Sequence, residues 1–260
     1  MKLDRHVDVL GVRVANLSQV EAIDALESMC TARDGRSRGL YIVNAHTLNL
    51  AWEDAEYRRV LNSGDAVYGD GTGVRWAARA QAVRMRDNLV GTDLVPALFE
   101  ETAGRGYSYF LLGATAETVD KAAEYARAKF PGWRLAGHHH GYVIDDSAAA
   151  IAAINKAQPN VLLVGMGNPL QERWIHDHLH ELEVPLSIGV GGLFDHWGGN
   201  LERAPMWVRR LGFEWLQILM QQPQKWRRYL IGNGKFLSRV PRPPAPVVGA
   251  ATQWPQADEA

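Results

Sequence analysis

A single cysteine, Cys30, leaves no partner for an internal disulfide and fits a reducing compartment, so a cytoplasmic location is expected. No apolar run approaches the ~20 residues a membrane-spanning helix needs, and the N-terminus Met1–His6 lacks the apolar stretch of a signal peptide. Membrane contact is therefore expected to be peripheral. Net charge is close to nil, at −1 over 260 residues, which argues against a polyanion binder as a whole. No turn has the Walker A spacing, and none carries the full Gly-x-Gly-x-x-Gly with an acidic residue about 20 positions on. These absences disfavour a nucleoside triphosphatase and an NAD-dependent oxidoreductase, while a non-enzymatic nucleotide-binding module remains a rival reading. No internal repeat of solenoid period occurs.

What is present is ordinary globular composition, 47% hydrophobic and 22% charged, enough for one large core. Short apolar runs such as Val7–Val14, Gly39–Asn44, Tyr107–Leu112, Val161–Val164 and Leu186–Val190 alternate with helical patterns at Ser18–Thr31, Thr47–Asn62, Ala116–Lys129, Ser147–Ala157 and Pro169–Glu183. That rhythm predicts an α/β, Rossmann-like parallel sheet core covered on both faces, spanning residues 1–200. Residues 201–240 read as a basic, tryptophan-rich helical appendage, with one helix over Met206–Leu219 and a basic aromatic one over Gln224–Leu230. The proline-rich remainder, 241–260, reads as a disordered tail.

Glycine turns close several of the strands, at Gly69-Asp70-Gly71, Gly113-Ala114, Gly165-Met166-Gly167 and Gly189-Val190-Gly191-Gly192. In a parallel sheet they gather along the carboxyl edge, where backbone amides at helix N-termini attract phosphate. Asp70, after an apolar strand and between glycines, suits a general base; capping the next helix is the alternative use of such an aspartate. His176 and His180 have the spacing of one helix face, yet no metal is predicted, and no cofactor. Gly-x-Ser-x-Gly is absent, which leaves nucleophilic hydrolase chemistry without support. Beyond residue 200, Trp207, Trp215, Trp226, Tyr229 and Phe236 interleave with Arg and Lys, a composition suited to an anionic membrane surface or, alternatively, to a tryptophan-rich core helix with a solvated basic face. Nucleic acid is the rival partner for such a stretch and is not expected for a near-neutral core.

The ordered series Pro159-Asn160-Val161-Leu162-Leu163-Val164-Gly165-Met166-Gly167-Asn168-Pro169-Leu170-Gln171-Glu172, Val190–Asp195, Arg203-Ala204-Pro205, Leu211–Leu216 and Arg228-Tyr229 resembles the WecG/TagA/CpsF family of glycosyltransferases, to about Leu237. The resemblance implies an inverting transferase that moves a sugar from a UDP-sugar to a polyprenyl-diphosphate-linked glycan in surface or wall polymer assembly. It implies Asp70 as the general base. It also implies Tyr142 against the uracil ring, Asp195 as acceptor for the uracil N–H and Gln171 near the diphosphate or sugar; their structural alternatives are core packing, a turn former and a helix-start amide. Asp-x-Asp, the usual metal anchor of sugar-nucleotide enzymes, is missing, so a metal-independent reaction is expected. The chain departs from the family pattern at Asn44-Ala45-His46, where Thr-x-Asn is common, and at Asn88, where an arginine is common. In the appendage Ile218 and Lys225 replace two arginines, and Arg228 is the clearest match. Asn44, His46, Asn88, Gly113, Gly165, Gly167, Gly191, Gly192, Lys225 and Arg228 complete the expected binding set. The enzyme is expected at the inner face of the membrane, and oligomerisation stays open.

Overall fold

The computed structural model describes residues 5–144, 146–205, 208 and 214–240. Its strands are β1 (His6–Val9), β2 (Val12–Ala15), β3 (Arg38–Val43), β4 (Ala66–Gly69), β5 (Ser108–Gly113), β6 (Arg134–His139), β7 (Val161–Gly165) and β8 (Leu186–Gly189). They form one sheet in the order β1-β2-β4-β3-β8-β7-β5-β6. Only β1 and β2 pair antiparallel; every other neighbour is parallel. The helices are α1 (Gln19–Thr31), α2 (Ala45–Glu53), α3 (Ala55–Ser63), α4 (Thr72–Ala80), α5 (Gly91–Glu101), α6 (Ala116–Lys129), α7 (Ala148–Ala157), α8 (Leu170–His178), α9 (Leu193–Trp197), α10 (Glu214–Gln221) and α11 (Gly232–Arg239).

Strand side chains alternate between two cores because successive residues point to opposite sheet faces. Tyr41, Val43, Phe110, Leu112, Leu162 and Val164 face α2, α3, α4, α7 and α8. Leu40, Ile42, Tyr109, Leu111, Val161 and Leu163 face α1, α5, α6 and α9. The expected Rossmann-like α/β class is therefore the observed one, a sheet sandwiched between two helical layers.

Local chemistry moves several boundaries. The run Val7–Val14 is a hairpin, turned by Leu10 (φ 54°) and Gly11 (φ 81°), consecutive left-handed residues that match the twist of paired strands. The single helix expected over Thr47–Asn62 breaks at Asp54, whose carboxylate accepts from Glu56 N (3.0 Å) and Tyr57 N (2.9 Å) and so starts α3 afresh. The helix expected over Pro169–Glu183 ends at His178, so His176 and His180 do not share one helical face. Helix α5, with Pro96 in its second turn, lies in a stretch for which the sequence pattern predicts no element.

Of the helix expected over Met206–Leu219, residues 206, 207 and 209–213 lie outside the described residues, as do Met1–Asp4 and the expected tail 241–260. Glu214–Gln221 is helical. The basic aromatic stretch after it is a 3-10 turn at Pro223–Lys225 and a π-helical turn at Arg227–Ile231, running on into α11. Helix α11 lies against α2 and α4: Phe236 is 1% exposed within the first core, Asn49 Nδ2 donates to Gly232 O (2.7 Å), and Arg239 donates to Asn49 Oδ1 (2.9 Å). Phe236→Ala is expected to lower the unfolding free energy by about 3–5 kcal/mol. Leu237→Ala, at a position 49% exposed, should stay within about 0.5 kcal/mol of the parent in the same urea titration. A Phe236→Ala loss no larger than that of Leu237→Ala would contradict this packing.

Candidate active site

The parallel strands end on one edge, and their order fixes the order of the groups there. Asp70 follows β4, Asn44 and His46 follow β3, Gly191, Gly192 and Asp195 follow β8, Gly165 and Gly167 belong to the β7 turn, Gly113 ends β5, and Tyr142 follows β6. After β3 the chain passes to one face of the sheet through α2, whereas after β8 it passes to the other through α9. Loops that part in this way open a crevice between neighbouring strands.

Asp70 is fixed by its backbone, N donating to Val43 O at 2.8 Å. It is not the N-cap of α4; that position is Gly71, in the left-handed region at φ 90°, without a side-chain cap. Asn88 Oδ1 accepts from Gly71 N at 2.7 Å, so Asn88 holds the turn that carries Asp70. Asn44 caps α2, its Oδ1 accepting from His46 N (3.0 Å) and Thr47 N (3.2 Å).

Glycine is required where backbones meet. A Cβ on Gly113 would stand 2.5 Å from Gly165 O, and one on Gly141 would stand 2.8 Å from Gly113 Cα. Above this contact lies a hollow of about 430 Å³ lined by Ala114, Gly141, Tyr142, Ile144, Met166 and Leu170, among others. Tyr142 is 76% exposed at its rim, which removes the core-packing alternative for that ring.

Gln171 lies beneath the turns, 1% exposed, with Oε1 accepting from Gly191 N (3.0 Å) and Gly167 N (3.3 Å). Its amide thus binds the β7 and β8 turns to one another. Its Nε2 donates to Glu172 Oε1 at 2.7 Å, and Tyr57 donates to Glu172 Oε2 at 2.9 Å. Tyr57 was not singled out from sequence; an aromatic in a helical pattern reads as core, and no motif marks it.

The C-terminal cations meet the crevice where its loops part. Burial, then Arg228, then Lys225 push the His46 imidazole down to about 4. Burial and Arg228 lower the Lys225 ammonium, while Asp195 opposes that shift. Lys225 therefore feels both α2 and α9, across the divide between β3 and β8. Arg228 Nε is buried without a hydrogen-bond acceptor among the described residues. Two cations and an unmet donor are groups whose charge and hydrogen-bonding capacity suit an anion. Arg203 of the Arg203-Ala204-Pro205 run donates to both carboxylate oxygens of Asp93 (3.0 and 3.1 Å), joining two segments distant in sequence. Among the described residues, no group of three or more His, Cys, Asp or Glu is arranged to hold a metal ion.

A carboxylate, a pair of cations and a hollow beneath an exposed ring are thus set along the carboxyl edge of an open α/β sheet, the edge at which such folds bind their ligands. The sequence matches the model of the "Glycosyl transferase WecG/TagA/CpsF family" over residues 7–244. A relative from Bacillus subtilis (strain 168) is 33% identical over 188 residues, covering 72% of this chain and 73% of its own length. A Staphylococcus aureus (strain MW2) relative is 29% identical over 223 residues, covering 85% and 86%. Both are named N-acetylglucosaminyldiphosphoundecaprenol N-acetyl-beta-D-mannosaminyltransferase. The chain belongs to the WecG/TagA/CpsF family and is a glycosyltransferase.

His46 yields a pH dependence of stability. Its folded pKa, about 4, lies below its ordinary value of 6.5, so on acidification the unfolded chain takes up the proton first. The stability held by neutral His46 is complete above about pH 6.5 and is lost as pH falls toward 4. Between pH 7 and 4 the urea midpoint of His46→Gln should fall less steeply than that of the parent; parallel curves would contradict the assignment.

Proposed function

We propose that this glycosyltransferase is inverting and metal-independent, and that it moves a sugar from a UDP-sugar to a polyprenyl-diphosphate-linked saccharide at the inner face of the membrane. The observation that carries this reading is the cation pair Lys225 and Arg228 over the parting of β3 and β8, between the hollow at Tyr142 and the carboxylate at Asp70. From β7 to β4 is three strand spacings, roughly 14 Å, so the occupant is elongated with its charge in the middle. A nucleoside diphosphate sugar has that form: base in the hollow against Tyr142, diphosphate at Lys225 and Arg228, sugar toward Asp70. Asp195, electrostatically coupled to Lys225, stands on the β8 side as the acceptor assigned to the uracil N–H.

In the reaction Asp70 takes the proton of the acceptor hydroxyl as that oxygen forms its bond to the anomeric carbon. The bond from that carbon to the UDP oxygen breaks on the opposite face, which inverts the configuration. Charge on the departing diphosphate is met by Arg228 and Lys225, which do here what a metal ion does in other transferases. Leu216, Met220, Trp226, Leu230, Ile231 and Leu237 are exposed near these cations in sequence, and no helix among the described residues is long and apolar enough to cross a membrane. Apolar and basic groups so interleaved suit the headgroup layer, where a lipid-linked acceptor is held. The relatives' names make N-acetylglucosaminyl-diphosphoundecaprenol the first acceptor to test, with an N-acetylmannosamine donor.

Asp70→Asn should bind UDP with parental affinity yet lose ~10²–10⁴-fold in transfer, because the amide keeps the shape and cannot take the proton. Near-parental turnover would remove Asp70 from the role. Parental transfer should survive excess EDTA; loss of activity restored by magnesium or manganese would assign the charge compensation to a metal.

A further inference from the structure

Glu172 is 0% exposed and accepts three hydrogen bonds: Tyr57 Oη to Oε2 (2.9 Å), Gln171 Nε2 to Oε1 (2.7 Å) and Asn168 Nδ2 to Oε1 (2.5 Å). Burying such a carboxyl in the first turn of α8 is costly, and apolar side chains fill the same space at lower cost. The geometry shows what it does. A primary amide has a donor end and an acceptor end, and packing alone does not choose between its two orientations. With Nε2 committed to Glu172, the Gln171 carbonyl oxygen faces the other way, where it accepts from Gly167 N and Gly191 N. A reversed amide would set a donor against two donors. Gly189 admits the amide closely, since a Cβ there would lie 3.0 Å from Gln171 Nε2.

We propose that Glu172 is a positioning residue for the donor substrate: by fixing the Gln171 amide it sets the spacing of the β7 and β8 turns, and hence the crevice between the hollow at Tyr142 and the Lys225–Arg228 pair. The inference rests on the reading of this crevice as the donor site. What the position requires is an acceptor, not a charge. Burial raises the Glu172 carboxyl above the ordinary range, and a neutral group still offers one oxygen to Gln171 and Asn168 while donating to the Tyr57 hydroxyl. Glu172→Gln has the same pattern, its carbonyl on one side and its NH2 toward Tyr57 Oη. Glu172→Leu keeps the bulk and removes the acceptor.

The test uses the full chain and UDP as probe, with calorimetric titration and amide exchange at Gly167 and Gly191 on the same samples, after circular dichroism has confirmed folding. Glu172→Leu should weaken UDP binding roughly tenfold and speed exchange at both glycines, while Glu172→Gln stays within about twofold of the parent. Gln171→Leu should weaken binding similarly, and the double variant no further, because both changes cut one connection. If Glu172→Leu does not fold, Gln171→Met, which removes both amide groups, carries the same readouts. UDP affinity unchanged in a folded Glu172→Leu, or single losses that add in the double variant, would overturn the proposal. So would Glu172→Gln behaving like Glu172→Leu. A parent chain that binds no UDP would overturn the donor reading instead; exchange at Gly167 and Gly191 then decides separately whether Glu172 holds the turns.

Discussion

A side chain at Gly113 would lie 2.5 Å from the carbonyl oxygen of Gly165, and this contact between two strand ends governs the carboxyl edge. With no Cβ between them, the β5 and β7 turns close on each other, Ala114 N donating to Gly165 O at 3.1 Å. Gly141 N donates to Ala114 O at 2.9 Å, which brings the β6 turn, and Tyr142 after it, over the same point. On the other side Phe194 packs where a side chain on Gly165 would be, so the start of α9 is drawn in as well. Glycine here is a matter of space between backbones more than of dihedral freedom.

Electrostatics then distinguishes the parts of that edge. At the β7 and β8 turns, amides are satisfied internally through Gln171, whose own amide is held by one buried carboxyl. Over β3 and β8, by contrast, Lys225 and Arg228 are brought in from the far end of the chain, and burial, then these two charges, keep His46 neutral. Like charges are gathered there at a cost, which an anionic ligand would offset. Helix α11, anchored by Phe236 and by Asn49 of α2, holds this segment on the same helix that carries His46.

Much of this was legible in the sequence. Apolar runs such as Val161–Val164 and Leu186–Val190 gave the parallel strands, and the glycines behind them gave the edge where Asp70, Tyr142 and Asp195 stand. Periodicity failed where one residue overrides a pattern: Asp54 splits a helix because its carboxylate caps the second half, and Leu10 hides a turn inside an apolar run. Helix α11 falls within the helical appendage expected over 201–240, though no separate helix is marked there; burial of Phe236 against α2 and α4 outweighs the low propensity of Gly232-Asn233-Gly234. Tyr57 and Glu172 are distant in sequence and meet only because α3 packs on α8, a pairing no local signal announces.

Transfer with product analysis tests the central claim most directly. The purified chain is given UDP-N-acetylmannosamine and N-acetylglucosaminyl-diphosphoundecaprenol in vesicles with EDTA; the lipid product is weighed by mass spectrometry and its new anomeric centre read by NMR. The account predicts release of UDP, gain of one N-acetylhexosamine residue and a configuration opposite to that of the donor. Another UDP-sugar may be substituted in the same assay to find the sugar that is moved. Retention of the donor's configuration, or no transfer from any UDP-sugar by a chain that is folded and vesicle-bound, would contradict it.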